Sequence, residues 1–118
     1  MSFDADYLRH SLQPLAEAAQ APTVVEGQSG GLQEYVEHYK LDRCLALTNA
    51  YHCGILETTG YSVAVQIFQV ASARATVTVL HGYFDHVGLY RHIITRLLNF
   101  GFNVVAFDLP GHGLSSGA

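Results

Sequence analysis

Two short loops, His81-Gly82-Tyr83-Phe84 and Asp108-Leu109-Pro110-Gly111-His112-Gly113, each follow an apolar run, and each sets glycine beside histidine. Gly82 stands where the backbone can turn sharply and come close to another group. Such a loop, at the carboxyl end of a strand, can present a backbone N–H into a cleft. Aimed at the oxyanion of a tetrahedral intermediate, one donor of that kind is worth roughly 3 kcal/mol of transition-state stabilisation. Taken alone, His81-Gly82 fits a plain strand-to-helix turn equally well.

Other chemistries read less well. Gly113-Leu114-Ser115-Ser116-Gly117 satisfies G-x-S-x-G by letter, but a nucleophile elbow needs a strand directly before the serine and a helix directly after it. Pro110 and two glycines intervene, and no helix follows, so Ser115 reads as a decoy. GHGLSS lacks the third glycine of a dinucleotide loop, carrying Ser116 there, and leaves its strand through Pro110. His81, His86, His92 and His112 are spaced across a turn and a helix without HExxH or a cysteine partner, so no metal site is expected. Nothing in these motifs calls for a cofactor. Cys44 and Cys53 form no CxxC pair and read as free, buried thiols in a reducing cytoplasm.

The elements that must hold these loops follow from periodicity. ATVTVL (75–80) and NVVAFDL (103–109) are short, apolar and β-branched, the pattern of strands covered on both faces in a parallel sheet. Between them Val87, Tyr90, Ile94, Leu97 and Leu98 make a helical stripe over about 87–100, with Asp85 as expected cap and Gly101 as the left-handed residue after its end. Strand, helix, strand is one right-handed crossover, which makes the two strands parallel. Upstream, YHCGILETTG and YSVAVQIFQV predict a hairpin turning at Thr58, Thr59 and Gly60. In its second strand Tyr61, Val63, Val65 and Ile67 share one face, and Ser62, Ala64 and Gln66 the other, as expected of an antiparallel strand near a sheet edge. Phe3, Tyr7, Leu8, Leu12, Leu15 and Ala19 predict an amphipathic helix over 3–20 divided at Pro14. A linker over 21–31 and a second helix over 32–41 complete the leader.

At 118 residues this is one domain at most, and 49% hydrophobic with 14% charged residues suits a globular interior. Ten acidic against six scattered basic residues, net charge -4, exclude a phosphate-tracking face and hence nucleic acid. The amino terminus lacks the basic and apolar regions of a signal peptide, and no segment reaches the ~18 apolar residues of a membrane span.

An HG pair followed by an aromatic, a helix, and a strand ending D-x-P-G-H-G-x-S resembles the α/β-hydrolases, specifically their monoacylglycerol lipase, lysophospholipase and serine aminopeptidase-like branch. The likeness covers about 50–118 and is most specific in the last forty residues. It implies an α/β fold, the amino-terminal portion of an α/β-hydrolase: helical leader, β-hairpin and one βαβ unit, with the sheet incomplete. Residues 1–49 would then be an extension and linker, and 50–118 the first part of the hydrolase domain. By the same resemblance Tyr83 carries over as a backbone oxyanion-hole donor, with His81 and Gly82 shaping the substrate loop. Asp108, Gly111, His112 and Gly113 carry over as loop-shaping residues.

In that family the triad runs Ser, Asp or Glu, His, and nothing after Ser115 supplies the last two; the elbow, lid and triad are expected past Ala118. The family's third strand lies between the fourth and fifth, so ATVTVL is expected to leave an unpaired edge. The implied activity is serine hydrolysis of carboxylic esters, acylglycerol or lysophospholipid-like, with this chain alone marginally stable and inactive. A non-catalytic hydrolase-like binding module, or an epoxide or haloalkane hydrolase of the same fold, remains open. Oligomeric state is not readable.

Overall fold

The structure, a computed structural model, describes residues 4–27 and 30–117; Phe3 of the expected first helix, Gln28 and Ser29 of the expected linker, and Ala118 lie outside them. The leader opens with α1 (Ala5–Ser11), whose start is fixed by Asp4: its Oδ1 accepts the N–H groups of Asp6 and Tyr7 at 2.9 and 3.2 Å. Pro14 divides the helical stretch as expected, and α2 (Leu15–Ala18) resumes after it. The single helix expected over 32–41 is instead α3 (Leu32–His38) followed by α4 (Asp42–Leu45). Lys40 causes the break by adopting a left-handed φ of 59°, and the Leu41 N–H closes the end of α3 onto the Val36 carbonyl at 2.8 Å.

The remainder is a mixed α/β unit. Strands β1 (Ala50–Thr58) and β2 (Tyr61–Gln69) form the predicted hairpin, with Gly60 at φ 87° in its turn. β3 (Ala75–Leu80) leads through a 3-10 turn, Val87–Tyr90, into α5 (Arg91–Asn99), and Gly101 at φ 87° returns the chain into β4 (Phe102–Phe107). The sheet order is β1-β2-β4-β3, with β4 antiparallel to β2 and parallel to β3. β3 therefore stands at one edge, as the resemblance implied, and no strand among the described residues pairs with its outer side.

The two edges are treated differently. Beside β1, Ile55 donates its N–H to the Gln13 carbonyl at 2.9 Å, Cys53 to the Thr23 hydroxyl at 2.9 Å, and Thr23 to the Tyr51 carbonyl at 2.7 Å. Gln13 in the leader and Thr23 in the expected linker thus run beside this strand edge and satisfy part of it. α2 lies so close to β1 that a Cβ on Gly54 would sit 2.9 Å from the Ala18 Cβ.

The main core lies on the sheet face that carries Tyr51, Cys53, Ile55, Ala64, Phe68, Val104 and Ala106, under Leu8, Leu32, Tyr35, Ile94 and Leu98. Here the sequence alternation of β2 misleads. The side bearing Ala64 and Gln66 faces this core, while Val63 and Val65, on the opposite side, are buried as well. Gln66 is tolerated because Tyr51 donates its hydroxyl to the amide oxygen at 2.7 Å and the amide N–H donates to the Tyr35 hydroxyl at 3.2 Å. β2 itself is antiparallel to both neighbours and lies one strand in from the β1 edge, near a sheet edge as expected.

A second correction concerns β3. Thr76, Thr78 and Leu80 are exposed while Val77 and Val79 are half-buried, so the strand is covered on one face only. Its β-branched content reflects strand propensity, which does not report coverage.

Candidate functional site

Both loops singled out in the sequence meet at one end of the sheet, after β3 and after β4. Asp108, with no exposed surface, joins them. One carboxylate oxygen accepts the Val87 N–H at 2.7 Å, at the start of the 3-10 turn, and the other accepts the Leu114 N–H at 2.9 Å, within its own loop. Burial raises the Asp108 pKa, opposed by those two N–H bonds and, less strongly, by His86 and His81. Gly113, at φ 51°, has no room for a side chain, because a Cβ there would lie 2.5 Å from the Asp108 carboxylate. Asp108 and Gly113 thus pack directly against each other, and Gly111 adopts φ 81° in the same loop.

The histidines complete the join. His81, buried, accepts the Leu109 N–H on Nε2 at 2.8 Å, and its Nδ1 lies 2.8 Å from the Gly82 carbonyl. His112 answers from the other loop: its Nε2 accepts the Phe84 N–H at 3.3 Å, and its Nδ1 lies 3.0 Å from the Pro110 carbonyl. The two rings stand 5.1 Å apart, with Tyr83 against His112 at 5.6 Å. His86, not Asp85, caps the following turn by accepting the Gly88 N–H on Nδ1 at 3.1 Å. Asp85 is drawn away by the Tyr90 hydroxyl, 3.2 Å from its carboxylate. Burial lowers the His86 pKa, the direction that favours a ring nitrogen acting as acceptor.

The 82–85 turn leaves one amide over. Gly82 donates to the Tyr90 hydroxyl at 3.1 Å, Phe84 to His112, and Asp85 to the Gly82 carbonyl at 3.0 Å. Among the described residues the Tyr83 N–H has no partner. Phe84 sits at φ 65°, a left-handed value rare for a bulky side chain, and the Tyr83 and Phe84 rings, 78% and 84% exposed, lie 4.2 Å apart with their planes tilted by 50°.

Ser115 is held differently from a nucleophile. It is buried, its Oγ accepts the Ala64 N–H at 2.8 Å, and it donates to the Asp108 carbonyl. Ser116 accepts the Ser62 N–H on Oγ at 2.7 Å and donates its own N–H to the Ser62 carbonyl at 2.8 Å. Both serines fasten the closing loop to β2. Cys53 is buried, and burial pushes its thiol up to about 12; Cys44 is raised for the same reason. Among the described residues no group of three or more His, Cys, Asp or Glu gathers as a metal set, and no helix is long and apolar enough to cross a membrane.

The cross-loop acceptor roles of His81 and His112, the His86 cap and the Tyr90 hydroxyl were not foreseen. A histidine inside each of two loop motifs was the available signal, but a ring's partner across 28 residues is a matter of tertiary placement.

Residues 71–118 match the sequence model of the family described as serine aminopeptidase, S33. An uncharacterized abhydrolase domain-containing protein of Dictyostelium discoideum is 51% identical over 43 residues, which are 36% of this chain and 5% of that protein. A monoacylglycerol lipase of Mycolicibacterium smegmatis is 43% identical over 44 residues, 37% of this chain and 16% of that enzyme. Both alignments thus take in only a small share of the relatives. Among solved structures, a thioesterase domain from the curacin biosynthetic pathway superposes with a TM-score of 0.49 at 27% identity, covering 59% of this chain and 25% of that one.

Proposed function

We propose, from the premise that residues 71–118 are α/β-hydrolase sequence of the serine aminopeptidase S33 type, that this chain is the amino-terminal part of a serine hydrolase of carboxylic esters. In this reading 50–118 open the hydrolase domain and 1–49 form a helical extension packed on it. The free Tyr83 N–H, in a turn whose other three amides are engaged, is the observation that carries the proposal. As a substrate carbonyl becomes tetrahedral, its oxygen gains charge, and a fixed N–H stabilises that charge more than it stabilises the ground state. The second donor, the nucleophile, the acid and the catalytic histidine come from sequence outside these 118 residues. Ser115 does not serve, since both roles of its hydroxyl are taken within the fold.

An acylglycerol or lysophospholipid-like ester is the proposed substrate class, supported by likeness to the mycobacterial monoacylglycerol lipase. Unpaired, buried Cys44 and Cys53 favour a reducing, cytoplasmic setting.

The test uses a fluorophosphonate probe with mass spectrometry, alongside turnover of a p-nitrophenyl ester. The 118-residue chain is expected to show neither labelling nor turnover, and a longer polypeptide that contains it is expected to label at a serine in a strand–turn–helix context. Labelling at Ser115, or turnover by the chain alone, overturns the assignment. An aspartyl adduct in the longer polypeptide would move it to the epoxide or haloalkane hydrolases, and absence of any adduct to a binding module.

A further inference from the structure

We infer that His81 and His112 form a reciprocal clamp that positions the Tyr83 amide, each ring holding the backbone of the other's loop. The inference rests on the proposed donor role of Tyr83 and adds two positioning residues to it.

Geometry fixes the proton on each ring. In His112, Nδ1 faces the Pro110 carbonyl, which can only accept, so the proton resides there and Nε2 is left bare toward the Phe84 N–H. His81 repeats the arrangement, with Nδ1 donating to the Gly82 carbonyl and Nε2 bare toward the Leu109 N–H. Both rings are therefore neutral and of the same tautomer. The β3 loop reaches over to hold the first residue after Asp108, and the β4 loop reaches back to hold the residue after Tyr83. Phe84 needs that hold, because its left-handed φ of 65° is costly for an aromatic residue unless the surroundings impose it. Fixing Phe84 from behind and Gly82 from in front, through the Tyr90 hydroxyl, leaves the Tyr83 N–H between two anchored neighbours.

The clamp fails when either ring gains a second proton, since an imidazolium has no acceptor. The titratable groups whose rings face His112 are His81 and Tyr83 of the β3 loop; in its own loop, Asp108 has both oxygens occupied by Val87 and Leu114. Two protonated rings 5.1 Å apart would also repel.

The decisive measurement needs no substitution. In the 15N-labelled chain, His112 and His81 are expected to carry the proton on Nδ1, with a through-hydrogen-bond coupling between the Phe84 amide nitrogen and the His112 Nε2. A proton on His112 Nε2 overturns the clamp. His112→Phe keeps a ring but removes the acceptor, and its Phe84 amide is expected to exchange about threefold to tenfold faster, as loss of one hydrogen bond allows. The Val87 and Leu114 amides, held by Asp108, are the internal standard and should be unchanged. His112→Gln, which restores an acceptor near Nε2, is expected to recover protection; equal Phe84 exchange in all three proteins overturns the proposal. These readouts are independent of ester hydrolysis. An intact clamp with unchanged acylation in a folded Tyr83→Pro form of a longer enzyme would defeat only the donor reading, and the converse only the clamp.

Discussion

Ser115 and Asp108 do at the residue level what a strand would otherwise do. The Ser115 hydroxyl occupies the Ala64 N–H and the Asp108 carbonyl, both buried. Ser115→Ala strands that donor and acceptor without water, and is expected to cost about 1–3 kcal/mol in urea denaturation. A neutral effect would mean that the loop is not fastened there. Asp108 makes a pH prediction. Burial raises its folded pKa above the ordinary 3.8, so its contribution to stability is full below that value and is lost as pH rises through the higher folded value. Wild-type protein should therefore exceed Asp108→Asn in denaturation midpoint by the widest margin at the acid end, with the gap narrowing as pH rises. A gap that widens instead would mean that the two N–H bonds outweigh desolvation. The identity of both residues was visible in the sequence, including Ser115 as a decoy, because a letter pattern without its flanking elements carries no elbow. Their partners were not, because Ala64, Val87 and Leu114 are brought to them by the packing of three separate elements.

Elements were legible where local chemistry decides them. Gly60 and Gly101 supply positive φ at the hairpin turn and after α5, Pro14 divides the leader, and the apolar stripe of the crossover helix is half or fully buried at Val87, Tyr90, Ile94, Leu97 and Leu98. Burial failed where it depends on what lies opposite. β2 turns Gln66 into the core because Tyr35 and Tyr51 satisfy it, and β3 remains open on one side despite its β-branched residues. Lys40, which ends α3 in a left-handed conformation, has no glycine or proline to announce it. α2 packs closely across β1. Gly54→Ala would press its methyl to 2.9 Å from both the Ala18 Cβ and the Leu15 Cα. Overpacking of this kind is expected to cost about 1–3 kcal/mol, read from thermal or urea unfolding. A tolerated alanine would mean that α2 rides loosely on the sheet.

Across the whole molecule the contrast between the two sheet edges matters most. β1 is sealed by Gln13, Pro14 and Thr23, whereas β3 has neither charge nor proline and carries exposed Thr76, Thr78 and Leu80. Such an edge is a template for another strand. The chain alone is therefore expected to associate as concentration rises, and Thr78→Lys to suppress that association in sedimentation velocity. A wild-type chain that stays monomeric across the range would show the edge to be protected. Strand order also sets a schedule for folding. β4, the last of the described strands, is the one inserted between β2 and β3, so these neighbours in sequence have nothing to pair through until Phe102–Phe107 is available. Long loops must close before any parallel pairing contributes, which makes this a slow, late step. A nascent chain leaving the ribosome can thus form its hairpin early, yet it must keep β3 waiting, bare on both edges, until the strand that accounts for the sheet has been synthesised.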